Sequence, residues 1–415
     1  QAASDNTAVG YKALSAEVGG QNNVAVGTST LESQNHGSGN IYNTAVGSKA
    51  AKSITTGVEN TLIGGLAGDA LTDADFNVAL GTVSLSSDTL GSRSTALGYA
   101  ALNAQNFTTA THVYNVAVGH GAGNVITTGT QNTLIGGLAG DALTDSDENV
   151  AVGYGALSAD TLGSKSVAVG REALATQNFT TATETFNVGI GQNAGTSVTT
   201  GRYNTLIGGD VAKALTVGIN NTIIGGLAGD ALTDADYNVA IGQSALSADT
   251  KGNRTTAIGF QALVNQNNTT DADTYNVAVG SAAGFATTSG KQNTLLGANA
   301  GDAITTGGGN TIVGYNNDVP AVDNDFSIIM GTGVTGVGGD NFTFGRATLD
   351  SNIAFGATSI TAPSDERYKE SIADSTAGLS FINDLRPVTF QWKKEKDIPS
   401  DHRAYVEGSE NRVMN

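Results

Sequence analysis

Cysteine is absent from these 415 residues, proline occurs four times, tryptophan once, and only 14% of residues are charged. Without cysteine there is no disulfide and no thiolate metal site, so stability rests on burial and hydrogen bonding. No basic run interrupts a net charge of -18, a balance that repels phosphate backbones and anionic lipid. Nucleic acid and membrane insertion are therefore set aside. No apolar stretch approaches the roughly 18 residues of a membrane span. Gln1 is neither an initiator Met nor the start of a signal peptide, and the native N-terminus is expected upstream. What is abundant is glycine, 56 residues, a composition unlike that of an ordinary enzyme.

The glycines are periodic. A five-residue unit (small polar, Thr or Val, Ala or Leu, aliphatic, Gly) is written NTAVG at Asn6 to Gly10 and NTLIG at Asn60 to Gly64, and it occurs 21 times. Most steps are 17 residues; three are 21 (Ser94 to Asn115, Ser166 to Asn187, Thr255 to Asn276), one is 20, and the last two, ending at Asn341 and Asn352, are 14 and 11. The block from Asn43 to Ser94 recurs 72 residues later, then again with one additional coil. Such a period reads as stacked coils of a parallel β-solenoid, about 4.8 Å apart, giving a shaft of roughly 100 Å. A Gly in every copy points to a positive φ after each strand. The first position is Asn in 17 copies and Ser or Thr in the others, as expected of a polar ladder. Proline is absent before Pro320, consistent with shaft amides that donate to a neighbouring coil.

The middle of the unit bears on assembly. A period of two sends the second and fourth positions to one face and the third to the other, and both faces are apolar. A thin coil buries one face only, so the other is expected to meet further copies of the chain around an axis. The Ala/Leu series at the third position, typified by Ala8, Ala25 and Leu62, is read as that inter-chain seam.

NTAVGYKAL, NVAVGYGAL and SVAVGREAL resemble the left-handed parallel β-roll repeats in the heads of trimeric autotransporter adhesins and in many phage tail fibres. The resemblance covers residues 6 to 314 and implies a homotrimer, although the coils here are longer than is common there. After Asn310 the coils shorten, and from Ser364 the character changes: 18 of the last 52 residues are charged. SDERYKESI, from Ser364 to Ile372, followed by Leu379, Ile382, Leu385, Pro387, Phe390 and Trp392, resembles the start of the endosialidase-type intramolecular chaperone and auto-processing domain. That resemblance implies a dyad in which the Ser364 hydroxyl attacks the preceding bond, Pro363-Ser364, with Lys369 as base. Such a Lys works near neutral pH only if desolvation lowers its pKa. A helix capped by Ser364 and Asp365 is compatible with this role. Domains of that family run longer than the residues given, so a partial chain is expected.

Other candidates have plainer readings beside them. Asp-x-Asp recurs at Asp73/Asp75, Asp145/Asp147, Asp234/Asp236 and Asp271/Asp273, and paired carboxylates suit Ca²⁺; the plain reading is a solvent-facing Asx turn. The 21-residue coils carry Phe107, Tyr114, Phe179, Phe186 and Tyr275, which either contact a glycan or a neighbouring fibre or cover the roll's edge. Gly119-His120-Gly121-Ala122-Gly123 imitates a phosphate loop but lies in the coil register, with no Lys-Ser/Thr after it. His36, His112, His120 and His402 lack ligand spacing, so neither a zinc site nor a Ser-His-Asp triad is expected.

The expectation is thus an all-β chain: a trimeric, left-handed parallel β-roll or β-solenoid shaft over 1-314, an irregular β transition over 315-363, and the start of a small mixed α/β chaperone domain over 364-415. Functionally it is expected to be a homotrimeric fibre on a virion tail or appendage. Its partners would be its own copies and a host-surface receptor, glycan or protein, with no cofactor and no metal. The alternatives are a bacterial trimeric surface adhesin and a tailspike depolymerase, which would need facing carboxylates roughly 5 to 9.5 Å apart.

Overall fold

The computed structural model describes residues 4-357, 391-402 and 405-412, and the chain divides into two compact units, Gln1–Pro363 and Ser364–Asn415. The first unit is a parallel β-solenoid. Its main sheet has 21 strands, the last of which, Leu349–Ala354, runs antiparallel to Asn341–Arg346, leaving twenty that stack in parallel. Stacking is in register: Thr7, Ala8 and Val9 face Val24, Ala25 and Val26, and the same columns continue coil after coil to Asn341–Arg346. The coils therefore run on past residue 314. The copy at Asn352, expected to be another turn, is instead the return arm of a hairpin, because a step of 11 residues is too short to travel round the coil.

The recurring Gly ends each strand with a positive φ, for example +138° at Gly153. A second constraint acts on the same residue. A Cβ on Gly153 would sit 2.4 Å from the carbonyl oxygen of Gly170 in the next coil, so a side chain there would also collide with the backbone of the neighbouring coil. From Asn23 to Asn310 the Asn column is buried, and its side chains bond twice per coil. The Asn149 side chain accepts from the Ser166 amide at 2.9 Å and donates to the Gly163 carbonyl at 2.9 Å, and Asn60, Asn132 and Asn221 repeat the pattern.

The over-length steps build something extra. Where the step is 20 or 21 residues, a second pair of short parallel strands forms: Gly20–Gln21 with Gly39–Asn40, Gly91–Ser92 with Thr111–His112, Gly163–Ser164 with Thr183–Glu184, and Gly252–Asn253 with Ala272–Asp273. Beneath the last three lies a buried polar network. Gln105 donates to Asp88 and to Ser94, while Asn115 donates to Gln105. Asp160-Gln177 and Asp249-Gln266 repeat it, all fully buried. A buried carboxylate is tolerated here because its lone pairs are taken up: Asp88 also accepts the amides of Gly91 and Phe107.

Core volumes compensate within many coils, and between neighbouring coils in others, as where Leu102 and Leu134 flank Gly123. Where the third position of the unit is Ala, the residue six further on is commonly Leu and the one nine on is Asp or Gln, as in Ala79, Leu85 and Asp88. Where the third position is Leu, the residue six on is Gly or Ala and the one nine on is Leu or Ile, as in Leu134, Gly140 and Leu143. A Cβ on Gly140 would lie 2.8 Å from both Leu134 Cδ2 and Leu143 Cδ1, so the large side chain occupies the space that the glycine leaves.

Of the C-terminal unit, the described residues form a short 3₁₀ helix, Glu395–Asp397, and an antiparallel bridge between Lys394 and Arg412.

Candidate functional site

The strand faces are arranged opposite to the expectation. Ala25, Ala45, Leu62, Ala79 and Leu134 at the third position are 0 to 1% exposed within a single chain. They form the coil's own core, not a seam between chains; Ala8, in the first described coil, is exposed. The outward face carries the second and fourth positions. There Leu80 is 51% exposed, Leu296 49%, Ile135 39% and Val277 39%. The physical reason is volume. The interior must also hold the residues six and nine places on, which leaves room for Ala, or for Leu opposite Gly, but not for a β-branched pair at both flanking positions. The conclusion that both faces are apolar stands, and the unpartnered one is the Thr/Val and Val/Ile/Leu face.

Immediately before each Asn runs a second column. Its residues share a left-handed backbone, with φ of +59° at Phe76, +56° at Tyr114, +50° at Phe186, +60° at Tyr203, +58° at Tyr237 and +53° at Tyr275. This conformation costs a side-chain-bearing residue roughly 1–2 kcal/mol, and it throws the side chain outward. All six rings are 40 to 51% exposed. Asn220 and Gly309 occupy the same column, so the turn itself does not require an aromatic ring. The 21-residue coils split the expected aromatics in two: Phe107 and Phe179 are 7% and 6% exposed and cover the coil edge, whereas Tyr114, Phe186 and Tyr275 project.

The Asp-x-Asp residues mostly bond to the preceding coil. Asp73 accepts from Thr56 and Asp75 from the Val58 amide; Asp145 and Asp147 do the same with Thr128 and Thr130. Asp236 accepts from the Ile219 amide, while Asp271 pairs with Asn253 and Asp273 with Arg254. Among the described residues no group of three His, Cys, Asp or Glu is placed to hold a metal ion. Asp69, Asp141 and Asp230, at one repeated position, are pushed above the ordinary carboxylate range by burial. Asp318 is pushed up to about 6, chiefly by burial, against hydrogen bonds from the Val319 and Ala303 amides. His112 lies 3.3 Å from Arg93 Nε, and His120 stacks on Tyr99 at 5.2 Å. Gly119, Gly121 and Gly123 all have positive φ within the coil path, and a Cβ on Gly123 would lie 2.8 Å from Leu134; the glycine-rich string serves the solenoid. Among the described residues no helix is long and apolar enough to cross a membrane.

Pro363, Ser364 and Lys369, and the helix expected over Glu366 to Ile372, lie outside the described residues. What sequence reading missed is the buried Asp/Gln network and the left-handed column. The first was signalled by Asp88, Asp160 and Asp249 falling where other coils have Leu or Ile. The second carries no single residue type and leaves no pattern.

No curated protein and no solved structure matches the chain significantly. A family model described as "Chaperone of endosialidase" matches residues 364-405, one tenth of the chain. The C-terminal unit therefore bears the mark of an endosialidase chaperone, and it follows a parallel β-solenoid of twenty stacked strands.

Proposed function

We propose that the chain is the shaft of a homotrimeric fibre on a phage tail or appendage that attaches to a host surface, and that its C-terminal unit is an intramolecular chaperone. The observation that carries this reading is the outward strand face. Apolar residues repeat there at every level of the solenoid, and burying each large one is worth roughly 1.5–3 kcal/mol. A face of this length left in water is an aggregation surface; axial symmetry covers it with the same face of two other copies. The chaperone match supplies the reason such an assembly forms in register. Every coil offers nearly the same outward pair, so a displaced pairing is close in energy to the correct one, and an end that nucleates the trimer resolves the degeneracy.

In this reading Ser364 Oγ attacks the carbonyl carbon of Pro363, Lys369 takes the hydroxyl proton, and the peptide bond gives way to an ester with a free amine on Ser364. Water then hydrolyses the ester and releases the chaperone. This is one turnover per chain and serves assembly. The test is light scattering and intact-mass analysis of the full chain, wild type and Ser364→Ala. The expected results are a trimeric mass for both, with wild type alone cut after Pro363. A monomeric mass overturns the fibre reading, and an uncut wild-type trimer overturns only the dyad.

A further inference from the structure

Each of the three 21-residue coils combines exposed rings with ionic groups; a smaller instance, Tyr11 beside the Lys12–Glu32 pair, lies near the start of the shaft. At the first, the Arg93 guanidinium lies 4.8 Å from the Phe76 ring and 5.9 Å from that of Tyr114, with His112 against its Nε. At the second, Lys165 lies 5.5 Å from the Phe186 ring and pairs with Glu184, while Phe186 stacks on Tyr203 at 5.5 Å and 15°. At the third, Arg254 lies 5.0 Å from Tyr237 and 6.0 Å from Tyr275; its Nε donates to Asp273 at 3.0 Å, and the Tyr275 hydroxyl donates to the same carboxylate at 3.0 Å. The second station has a cleft of about 260 Å³ lined by Asp147, Glu148, Ser164, Lys165, Thr183 and Glu184. In each case one residue of the additional strand pair takes part: His112, Glu184 or Asp273.

Taking the fibre reading as its basis, we propose that these stations bind a neutral oligosaccharide chain lying along the shaft. Half-exposed rings offer flat apolar faces to the C–H side of a sugar ring. Carboxylates accept and guanidinium or ammonium groups donate to adjacent hydroxyls. At the second and third stations each cation is balanced by a carboxylate, and the chain's net charge of -18 repels polyanions, which selects uncharged sugars. The stations are four and five coils apart, roughly 19 and 24 Å, so a chain long enough to bridge two gains avidity.

The test uses the full chain and surface-immobilised gluco-, manno- and galacto-configured oligosaccharides of increasing length, beside sulfated counterparts. The variant is Phe186→Asn with Tyr203→Asn, because Asn occupies this column natively at Asn220. The expected result is binding of at least one neutral series that strengthens with length, and at least about tenfold weaker binding by the variant, with molecular mass by light scattering unchanged. Binding of only the sulfated sugars, of none, or with equal strength by the variant overturns the proposal while leaving the trimer intact. A variant that loses its trimeric mass shows that the rings belong to the subunit interface and also overturns it. A monomeric wild type removes the fibre reading first.

Discussion

Exchange of volume between Leu134 and Gly140 is the most direct check on the core. Leu134→Ala opens a hole flanked by Gly123 and Gly140, neither of which has a side chain to move into it, so its cost falls in the upper part of the usual range, about 3–5 kcal/mol. Gly140→Leu places a Cβ 2.8 Å from two leucine methyls at a φ of +56°, adding overpacking of about 1–3 kcal/mol to left-handed strain of about 1–2 kcal/mol. The double variant removes one clash and fills the hole, converting the coil toward the Ala151, Leu157 arrangement, in which Leu157 sits at φ +55°. We expect a favourable coupling of at least about 2 kcal/mol in the double-mutant cycle. Because solenoids open locally, the assay is amide exchange over Thr133–Ile135 and its neighbours Val116–Val118 and Val150–Val152, with thermal melting as a second readout. Costs that add to within about 0.5 kcal/mol refute the compensating-volume account.

Three further predictions follow from particular bonds. Asn149→Ala leaves the Ser166 amide and the Gly163 carbonyl without their partner, a loss of roughly 2–6 kcal/mol at about 1–3 kcal/mol per buried group; the Ser166 amide should exchange far faster, and unchanged exchange contradicts the ladder. Asp318, raised to about 6, binds its proton more readily folded than unfolded, so stability at that end should fall as pH rises from about 4 through 6. Amide exchange near Asp318 at pH 5 and 7.5 checks the sign, and Asp318→Asn should abolish the difference. Glu59 is exposed at φ +55°, so Glu59→Asn should stabilise by about 0.5–1 kcal/mol, seen as a higher melting temperature; destabilisation would mean that the side chain has another role.

The stacking, the strand positions and the glycine column were legible in the sequence because each is a demand made at every coil and met by one residue type. The inward face was not. Alternation states that Ala25 and Val26 point opposite ways, but both are apolar, and hydrophobicity cannot rank them. The deciding signal was covariation of size inside a coil, Leu62 with Gly68 against Ala79 with Leu85, which places the third position opposite the sixth residue after it. The Asn352 copy matched the motif and yet folds as a hairpin arm, since a five-residue match says nothing about whether enough chain precedes it to close a turn. The left-handed column escaped because Phe76, Arg93, Tyr114 and Gln131 share only a backbone angle.

The four additional strand pairs precede Asn43, Asn115, Asn187 and Asn276, at intervals of four, four and five turns. Graduations that are not evenly spaced make a ruler that can be read from one end only. Two copies laid alongside each other bring all four marks level in a single position; sliding one by four turns matches two marks, and sliding it by five matches one. The irregular lengths in an otherwise monotonous sequence therefore encode absolute position along the axis, information that identical turns cannot hold.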